Sequence, residues 1–361
     1  MMKPQRSTNG ACSHAARSPS GFGAMERLPK PVLCIPLVLQ WLWLGLRYRS
    51  LTLPSVVNPA IETGGLAGES KAACLARISP DHAPWVARTV FVSPADIQSA
   101  AAMARTLGYP LVAKPDIGWC GYGVRRINTA GKLADYIATF PSDASFLMQE
   151  FVPGPFEAGL FYSRDPTETH GHLIGLAVRH SPQVVGDGVH SVTALMTADP
   201  RLCSRINHYT TALGTNRMSH VPAYGERMIL GTVASLRVGG RYEDAMRLNT
   251  PALEYRVDAI VRSMNGFHFG RLDVRFGSEE ALQRGEFQII EINGAGSEAI
   301  QFWDPALRLR DAYRGVFAKQ EDMFALAARM RANGAVPISA MALIRAWWRQ
   351  LRLMRRYPSS N

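Results

Sequence analysis

The chain has 361 residues, of which 47% are hydrophobic and 19% are charged, and this predicts a mostly globular protein of two or three structural units. The net charge is +11, but no nucleic-acid-binding signature is present, so we expect no nucleic-acid partner. The five cysteines are scattered and lack CxxC spacing. They predict a reducing, cytoplasmic setting without structural disulfides or a cysteine-based zinc site.

The N-terminal region divides into a polar and an apolar part. Residues 1–24 mix Ser, Gly, Ala and Arg with little periodicity and are predicted to be disordered, with Met25 as a second candidate start. Residues 32–46 are strongly apolar, but they fall short of the about 20 residues of a spanning helix and contain Pro36 and Gln40. We expect a buried or interfacial segment; a membrane span or a signal peptide is the alternative.

Two lysines accompany glycine-rich loops. Lys71 follows the glycine-rich stretch 58–70 and opens a predicted helix over 72–78, where backbone can approach a ligand and a helix start attracts anions. Lys114 ends a predicted strand over 111–115 and precedes a loop with Gly118, Gly121 and Gly123. Lysine charge and loop N–H groups suit phosphate, although the spacing matches neither a Walker A loop nor a dinucleotide fingerprint. For Lys71, a solvated surface lysine is the alternative.

A predicted strand from Phe146 runs into the segment Gln149–Val152 and a turn, and another strand covers 158–163. The segment could present main-chain groups to an adenine edge, or it could be an ordinary corner between two strands. Further along, a predicted strand over 173–179 ends in Arg179.

A predicted hairpin over 267–276 and 286–293 carries the strongest chemical pattern. Alternation along a strand places Arg271, Asp273 and Arg275 on one face, and it places Glu291 and Asn293 on one face of the partner strand, with Ile290 and Ile292 opposite. Two carboxylates about 4 Å apart repel by ~4 kcal/mol at an effective dielectric of 20. Magnesium removes that repulsion and prefers such hard oxygen ligands. The alternative is a cross-strand ion-pair ladder with the arginines.

The C-terminal region is predicted to be helical. A helix over 305–331 closes the globular part, and residues 339–356 form an amphipathic pattern with an apolar stripe and an arginine-rich face. This pattern is typical of a membrane-surface helix and equally of a helix packed on its own domain.

Taken in order, the lysine-bearing helix start, VAKP with its glycine loop, QEFVPG, VVGDG, GRLDVRF and IIEIN resemble the ATP-grasp superfamily, in its D-alanine–D-alanine ligase-like branch of carboxylate–amine ligases. The resemblance covers roughly residues 60–305, and VVGDGVHSV also resembles a segment of cyanophycin synthetases. It implies an α+β fold in which two lobes sandwich ATP. The implied division is a short N-terminal unit (25–105), an ATP-grasp domain (106–332) and a basic amphipathic tail (333–361).

The resemblance also implies roles for individual residues. Asp273, Glu291 and Asn293 match magnesium ligands, with manganese as a substitute; Arg271 matches a residue that steadies an acyl phosphate, and Arg179 matches a γ-phosphate contact. The ATP-binding residues implied are Lys71, Lys114, Gly118, Gly121, Gly123, Gln149, Glu150, Phe151, Val152 and Glu157. The implied reaction activates a small-molecule carboxylate as an acyl phosphate for attack by an amine.

The N-terminal part is shorter and more hydrophobic than a D-alanine ligase lobe, so the substrates stay open. Two other functions remain as alternatives. One is a membrane-surface ATP-binding protein, with peripheral membrane contact through 339–356 and secondary or no catalysis. The other is an ATP-grasp phosphotransferase with a non-carboxylate acceptor.

Overall fold

The structure is a computed structural model and describes residues 21–360. Of the stretch 1–24, which is predicted to be disordered, residues 1–20 lie outside the described residues. The helices are α1 (Lys30–Arg47), α2 (Lys71–Leu75), α3 (Ala100–Leu107), α4 (Ala130–Thr139), α5 (Val192–Ala198), α6 (Ile206–Leu213), α7 (Thr215–Ser219), α8 (Pro251–Ser263), α9 (Glu279–Gln283), α10 (Leu309–Ala332) and α11 (Ala340–Met354). The strands are β1 (Thr89–Val92), β2 (Leu111–Pro115), β3 (Arg125–Ile127), β4 (Phe146–Glu150), β5 (Phe156–Ser163), β6 (His172–His180), β7 (Gln183–Val185), β8 (Arg227–Ile229), β9 (Arg241–Asp244), β10 (Phe269–Phe276) and β11 (Gln288–Asn293).

The larger sheet is antiparallel and has the strand order β11-β10-β5-β6-β9. Because side chains alternate along each strand, one face of the sheet is apolar, and Leu160, Leu272 and Val274 share a buried core with Val257 and Ile260 of α8. The opposite face carries charged side chains. The predicted hairpin is confirmed as β10 and β11, and its long connection contains the short helix α9.

The smaller sheet is also antiparallel, with the order β1-β4-β2-β3. Ala104 of α3 and Leu133 and Tyr136 of α4 form one buried cluster with Met148 of β4. Helices therefore cover one face of this sheet, and its other side turns toward the charged face of the larger sheet. Two units of mixed helix and sheet across a cavity confirm the predicted α+β class.

Helix α1 accounts for the apolar segment near the N-terminus. It packs on α10, where the Trp41 ring meets Phe324 edge-on with centroids 5.0 Å apart. Only Leu33, Leu44 and Gly45 of this helix are buried, so much of its apolar surface is left exposed. Within residues 21–360, no helix combines the length and the apolarity that crossing a bilayer requires.

Helix α11 confirms the predicted C-terminal helix and lies against the loop that precedes α2. The Gln350 side-chain oxygen accepts a hydrogen bond from Gly68 N at 2.6 Å, and Arg349 pairs with Glu62 at 2.7 Å. These contacts fix α11 across one end of the cavity and leave Trp348 on the outside.

The last residues after α11 return to the loop that follows β2. The Tyr357 hydroxyl donates to Ile117 O at 2.7 Å, and the Ser360 hydroxyl donates to Gly121 O at 2.6 Å. The Tyr357 ring also stacks on Phe140, with centroids 5.4 Å apart. The C-terminal tail thus fastens the glycine-rich loop to the body of the protein.

The predicted division of the chain stays a prediction. β1 precedes the boundary between 105 and 106, yet it pairs with β4, which lies beyond that boundary. The tail after 333 likewise contacts the smaller sheet's unit through Tyr357. All three predicted parts contribute residues to a single cavity.

Candidate functional site

A cavity of about 1090 Å³ lies between the charged face of the larger sheet, the smaller sheet and the helices α1, α10 and α11. It is somewhat larger than the ~300–1,000 Å³ of common ligand pockets. Every residue that the sequence singled out as a site residue lines it, with one exception. The exception is Gly123, which does not line the cavity. It packs against Pro115, where a Cβ would come 2.7 Å from Pro115 Cγ, and its positive φ of 71° serves the turn.

The residues proposed as metal ligands converge at the bottom of this cavity. Asp273 lies directly opposite Glu291 in the β10–β11 pair, and Asn293 lies opposite Arg271. Side chains of opposed residues share a face of the sheet. The Asn293 amide donates to an Asp273 carboxylate oxygen at 3.4 Å, so the predicted convergence of these side chains is present.

A β-bulge corrects one prediction for this hairpin. The register shifts after Asp273, so that Val274 pairs with Ile289 and Ile290 has no partner in the ladder. Alternation placed Ile290 on the other face of the strand from Glu291, in the core. In the structure Ile290 lines the cavity, and Ile289 is buried in the core instead. Alternation alone fails here because the bulge inserts one residue into the strand.

Two arginines hold Asp273 in place. Arg271 donates to both carboxylate oxygens, at 2.6 and 3.0 Å, and Arg179 of β6 donates to one of them at 3.1 Å. Burial opposes ionisation of Asp273, but the two arginines outweigh burial and the pKa of Asp273 lies below its ordinary value. The carboxylate is therefore charged. Its Oδ2 accepts from Arg271, Arg179 and Asn293, whereas Oδ1 accepts from Arg271 alone among residues 21–360 and keeps a lone pair for a ligand. The alternative of a cross-strand ladder with Arg271 and Arg275 is not what forms: Arg271 pairs with Asp273 on its own strand, and Arg275 donates to Gly154 O at 2.6 Å.

Arg179 also pairs with Glu157 of β5 at 2.7 Å. Burial raises the pKa of Glu157, and Arg179 acts in the opposite direction. We call the resulting polar surface the charged floor; it consists of Glu157, Arg179, Arg271, Asp273, Glu291 and Asn293.

Both predicted lysines reach the charged floor from the side of the smaller sheet. Lys114 donates to Ile290 O at 2.6 Å and to the Gln149 side chain at 3.0 Å. Burial lowers the pKa of Lys114 to about 8. Lys71 lies 3.5 Å from a Glu291 oxygen and donates to Gly118 O at 2.6 Å. The lysines and the paired acids thus share one end of the cavity.

The start of α2 differs from the prediction that it attracts an anion. The Asp116 carboxylate accepts hydrogen bonds from Ala72 N and from the Ser70 hydroxyl, both at 2.9 Å. A carboxylate of the protein therefore already occupies the positive end of this short helix. Only the side chain of Lys71, and not the helix end, remains available to a phosphate.

The predicted adenine segment is also partly engaged by the protein. The main-chain N–H groups of Glu150 and Phe151 donate to Arg88 O and Pro110 O, and the Glu150 carboxylate binds Arg88 at 2.6 Å. These groups cannot also serve an adenine edge. The guanidinium carbons of Arg126 and Arg275 lie 4.2 and 4.8 Å from the centroid of the Phe151 ring. This end of the cavity is therefore aromatic and cationic.

Three charged residues that line the cavity escaped the sequence analysis: Glu69, Glu298 and Lys319. Glu69 accepts from Gly294 N at 2.9 Å, and burial raises its pKa to about 7. Burial also raises the pKa of Glu298, and it lowers the pKa of Lys319 to about 7, helped by the nearby charge of Arg271. No local pattern marks these residues, because each reaches the site only through the docking of a loop or of α10.

The set proposed for a metal contains two carboxylates and one amide. Among residues 21–360, no group of three or more His, Cys, Asp and Glu side chains is placed to hold a metal ion. Asp273 and Glu291 nevertheless supply ionisable oxygens, and Asn293 supplies a neutral one. Hard oxygens from few protein groups fit magnesium, which takes its other ligands from water and phosphate.

Comparisons with known proteins gave likeness only to solved structures. No protein-family model matches the chain, and no curated protein matches its sequence. A D-alanine–D-alanine ligase from Bacillus anthracis is similar with a TM-score of 0.44 and 15% identity, over 76% of this chain and 71% of that one. The VanG D-Ala:D-Ser ligase from Enterococcus faecalis gives 0.42 and 13%, over 74% and 63%.

A bifunctional glutathione synthetase from Pasteurella multocida is similar with a TM-score of 0.37 and 16% identity, over 69% of this chain. The chain spans 36% of the length of that synthetase. The geometry of the cavity, rather than these similarities, is the basis of the proposed function.

Proposed function

We propose that this protein is an ATP- and magnesium-dependent ligase that joins a carboxylate to an amine. One observation carries the proposal: Asp273 and Glu291 lie opposite each other on one strand pair, and Lys71 and Lys114 contact that same pair from the other side of the cavity. Paired acids beside two lysines suit a triphosphate with its metal ion.

In this proposal ATP lies between the two sheets. Lys71 and Lys114 bind phosphate oxygens, and the loop with Gly118 and Gly121 covers them. The adenine lies near Phe151 and Val152, at the aromatic end of the cavity. Burial lowers the pKa of Lys114, and a bound phosphate would raise it again by favouring the charged lysine.

Asp273, Glu291 and Asn293 would hold magnesium, and manganese would be accepted in its place. The ion supplies charge neutralisation to the phosphate oxygens. The protein itself contributes the cations Arg271 and Arg179, whose positions are fixed by hydrogen bonds to Asp273. They are placed to stabilise the negative charge that develops during phosphoryl transfer.

The reaction has two steps. An oxygen of the substrate carboxylate attacks the γ-phosphorus, the bond to the β-phosphate oxygen breaks, and an acyl phosphate and ADP form. The lone pair of an amine then attacks the acyl carbon, phosphate leaves with the electron pair of the broken C–O bond, and the nitrogen loses a proton. The products are an amide, ADP and phosphate.

The proposal is tested by measuring ADP and phosphate release with a panel of carboxylates and amines. Glu291→Gln is expected to lower turnover by about 10²-fold or more, because a charged ligand of the magnesium ion that would neutralise the transferring phosphate is lost. Glu286→Gln is the matched control in the same hairpin, since Glu286 is exposed and pairs with Arg284 in a surface contact. We expect this control to keep wild-type turnover.

Two outcomes would favour the alternatives. ATP binding without turnover on any panel member, together with capture of the protein by liposomes, would indicate a membrane-surface ATP-binding protein. ADP release with a phosphorylated product and no amide would indicate a phosphotransferase. Equal turnover of Glu291→Gln and wild type would contradict the assignment of the site itself.

A further inference from the structure

The cavity does not end at the charged floor. It continues between three helices, where its lining is apolar. We call this part the apolar arm; it is lined by Leu37, Trp41, Val316, Met323, Ile344 and Trp347. These residues come in pairs from α1, α10 and α11, which are remote from one another in the sequence.

The arm is continuous with the reactive end of the cavity along α10. Val316, Lys319, Gln320 and Met323 follow the spacing of one helix face and all line the cavity. Lys319 donates to Ser297 O and lies 5.7 Å from the Phe161 centroid, next to the strand that carries Arg271. The lysine therefore marks the border between the apolar arm and the charged floor.

Polar groups without partners lie at this border. Ser297 is 7% exposed, and its hydroxyl has no hydrogen-bond partner among residues 21–360. The side-chain oxygen of Gln320 is also unpartnered within that range. Buried polar atoms normally find partners, and leaving one unpaired costs about 1–3 kcal/mol. Both residues line the cavity. A ligand acceptor can receive a hydrogen bond from the Ser297 hydroxyl, whereas the Gln320 oxygen needs a donor.

The far end of the arm opens to the surface. Ile344 and Trp347 line it and are 47% and 41% exposed, respectively. A ligand with a hydrocarbon chain can therefore enter from this side, with its polar head group directed toward Lys319. A compact polar ligand would leave the arm unfilled.

We propose that the carboxylate substrate is an amphiphile, whose head group binds at Lys319 and Ser297 and whose hydrocarbon chain fills the apolar arm. This inference rests on the proposed ligase function for its account of the head group. The Lys319 ammonium group and the Ser297 hydroxyl can both donate hydrogen bonds to a carboxylate. Arg271, which belongs to the charged floor, lies next to Lys319. Burial lowers the pKa of Lys319, and a carboxylate bound beside it would favour the charged form of the lysine.

The experiment measures direct binding of straight-chain acids from butanoate to dodecanoate by calorimetry, below their micelle-forming concentrations and without ATP. Affinity is expected to rise about fourfold for each CH₂ group that enters the arm. The same series is then assayed for acid-dependent ADP release with an amine panel. Binding thus reports on the arm, and turnover reports on the ligase.

Ile344→Asp tests the assignment to the arm. A carboxylate at its mouth should remove most of the dependence on chain length and weaken dodecanoate binding at least tenfold. Met341→Asp is the matched control, because Met341 is on the same helix, is 56% exposed and does not line the cavity. Both positions are exposed, so neither change should prevent folding.

The outcomes separate the two proposals. Chain-length dependence that Ile344→Asp abolishes and Met341→Asp preserves would support the arm. Equal affinity for butanoate and dodecanoate, with turnover on other acids, would overturn the arm and leave the ligase standing. Chain-dependent binding without turnover on any acid would support the arm and overturn the ligase.

Discussion

The charged floor and the apolar arm are two ends of one cavity, built on different physical principles. In the floor, Asp273 is held by Arg271 and Arg179 at 2.6–3.1 Å, and strand register fixes all three positions. In the arm, the side chains come from three separate helices, and the side chains of Ile344 and Trp347 are partly exposed. The floor is thus organised before any ligand binds, whereas the arm gains most from a ligand that covers apolar surface. We expect the floor to set the chemistry and the arm to set the choice of substrate.

The largest effect is expected from breaking the floor. Asp273→Ala leaves two buried arginines without their shared carboxylate, and removing one partner of a buried ion pair costs about 3–5 kcal/mol. The free energy of unfolding, measured by urea titration, should fall by that amount. Glu286→Ala removes a carboxylate from an exposed pair with Arg284 and should leave stability nearly unchanged. If the Asp273→Ala protein were as stable as wild type, the Asp273 carboxylate would not be what holds Arg271 and Arg179 in the charged floor.

The same contrast explains how much the sequence could reveal. Period-two alternation predicted that Asp273, Glu291 and Asn293 converge, because the side-chain direction in a strand depends on local geometry alone. The bulge at Ile290 was missed, since an Ile-Ile run gives no local signal for an extra residue. The α+β class followed from strands and helices with clear local patterns.

The arm could not be predicted in the same way. Periodicity predicted the helix α11, and composition marked the segment that forms α1, but neither indicates which helices meet. Lys319 looks like any polar residue in a long helix until α10 docks beside the strand that carries Arg271. Glu69 stood at the end of a glycine-rich loop, and its burial depends on contact with Gly294. Tertiary docking decides the role of both residues.

An intermediate effect is expected at Glu69, where the loop held by α11 meets the end of β11. Its pKa is raised from 4.5 to about 7 by burial, so the folded state binds more protons than the unfolded state between these values. The free energy of unfolding should therefore decrease as pH rises from about 4.5 to 7, by about 1–3 kcal/mol.

Glu69→Gln should remove that decrease, and urea titrations at several pH values measure it. Glu62→Gln is the matched control, because Glu62 lies on the same loop and pairs with Arg349 at the surface. This control should keep the wild-type dependence on pH. An unchanged pH profile for Glu69→Gln would assign the decrease to other groups and contradict a neutral Glu69 in the folded state.

The smallest effect is expected at the tail, which links the helix α11 of the arm to the glycine-rich loop on the ATP side of the floor. Tyr357→Phe removes the hydrogen bond to Ile117 O and keeps the stacking on Phe140. The hydrogen bond stabilises the ordered loop by about 1 kcal/mol. Without it, the Kd for an ATP analogue should rise up to about fivefold, while turnover at saturation is unchanged. Tyr224→Phe is the control, since Tyr224 is 89% exposed. Equal Kd values for Tyr357→Phe and Tyr224→Phe would mean that the tail does not preorganise the loop for ATP.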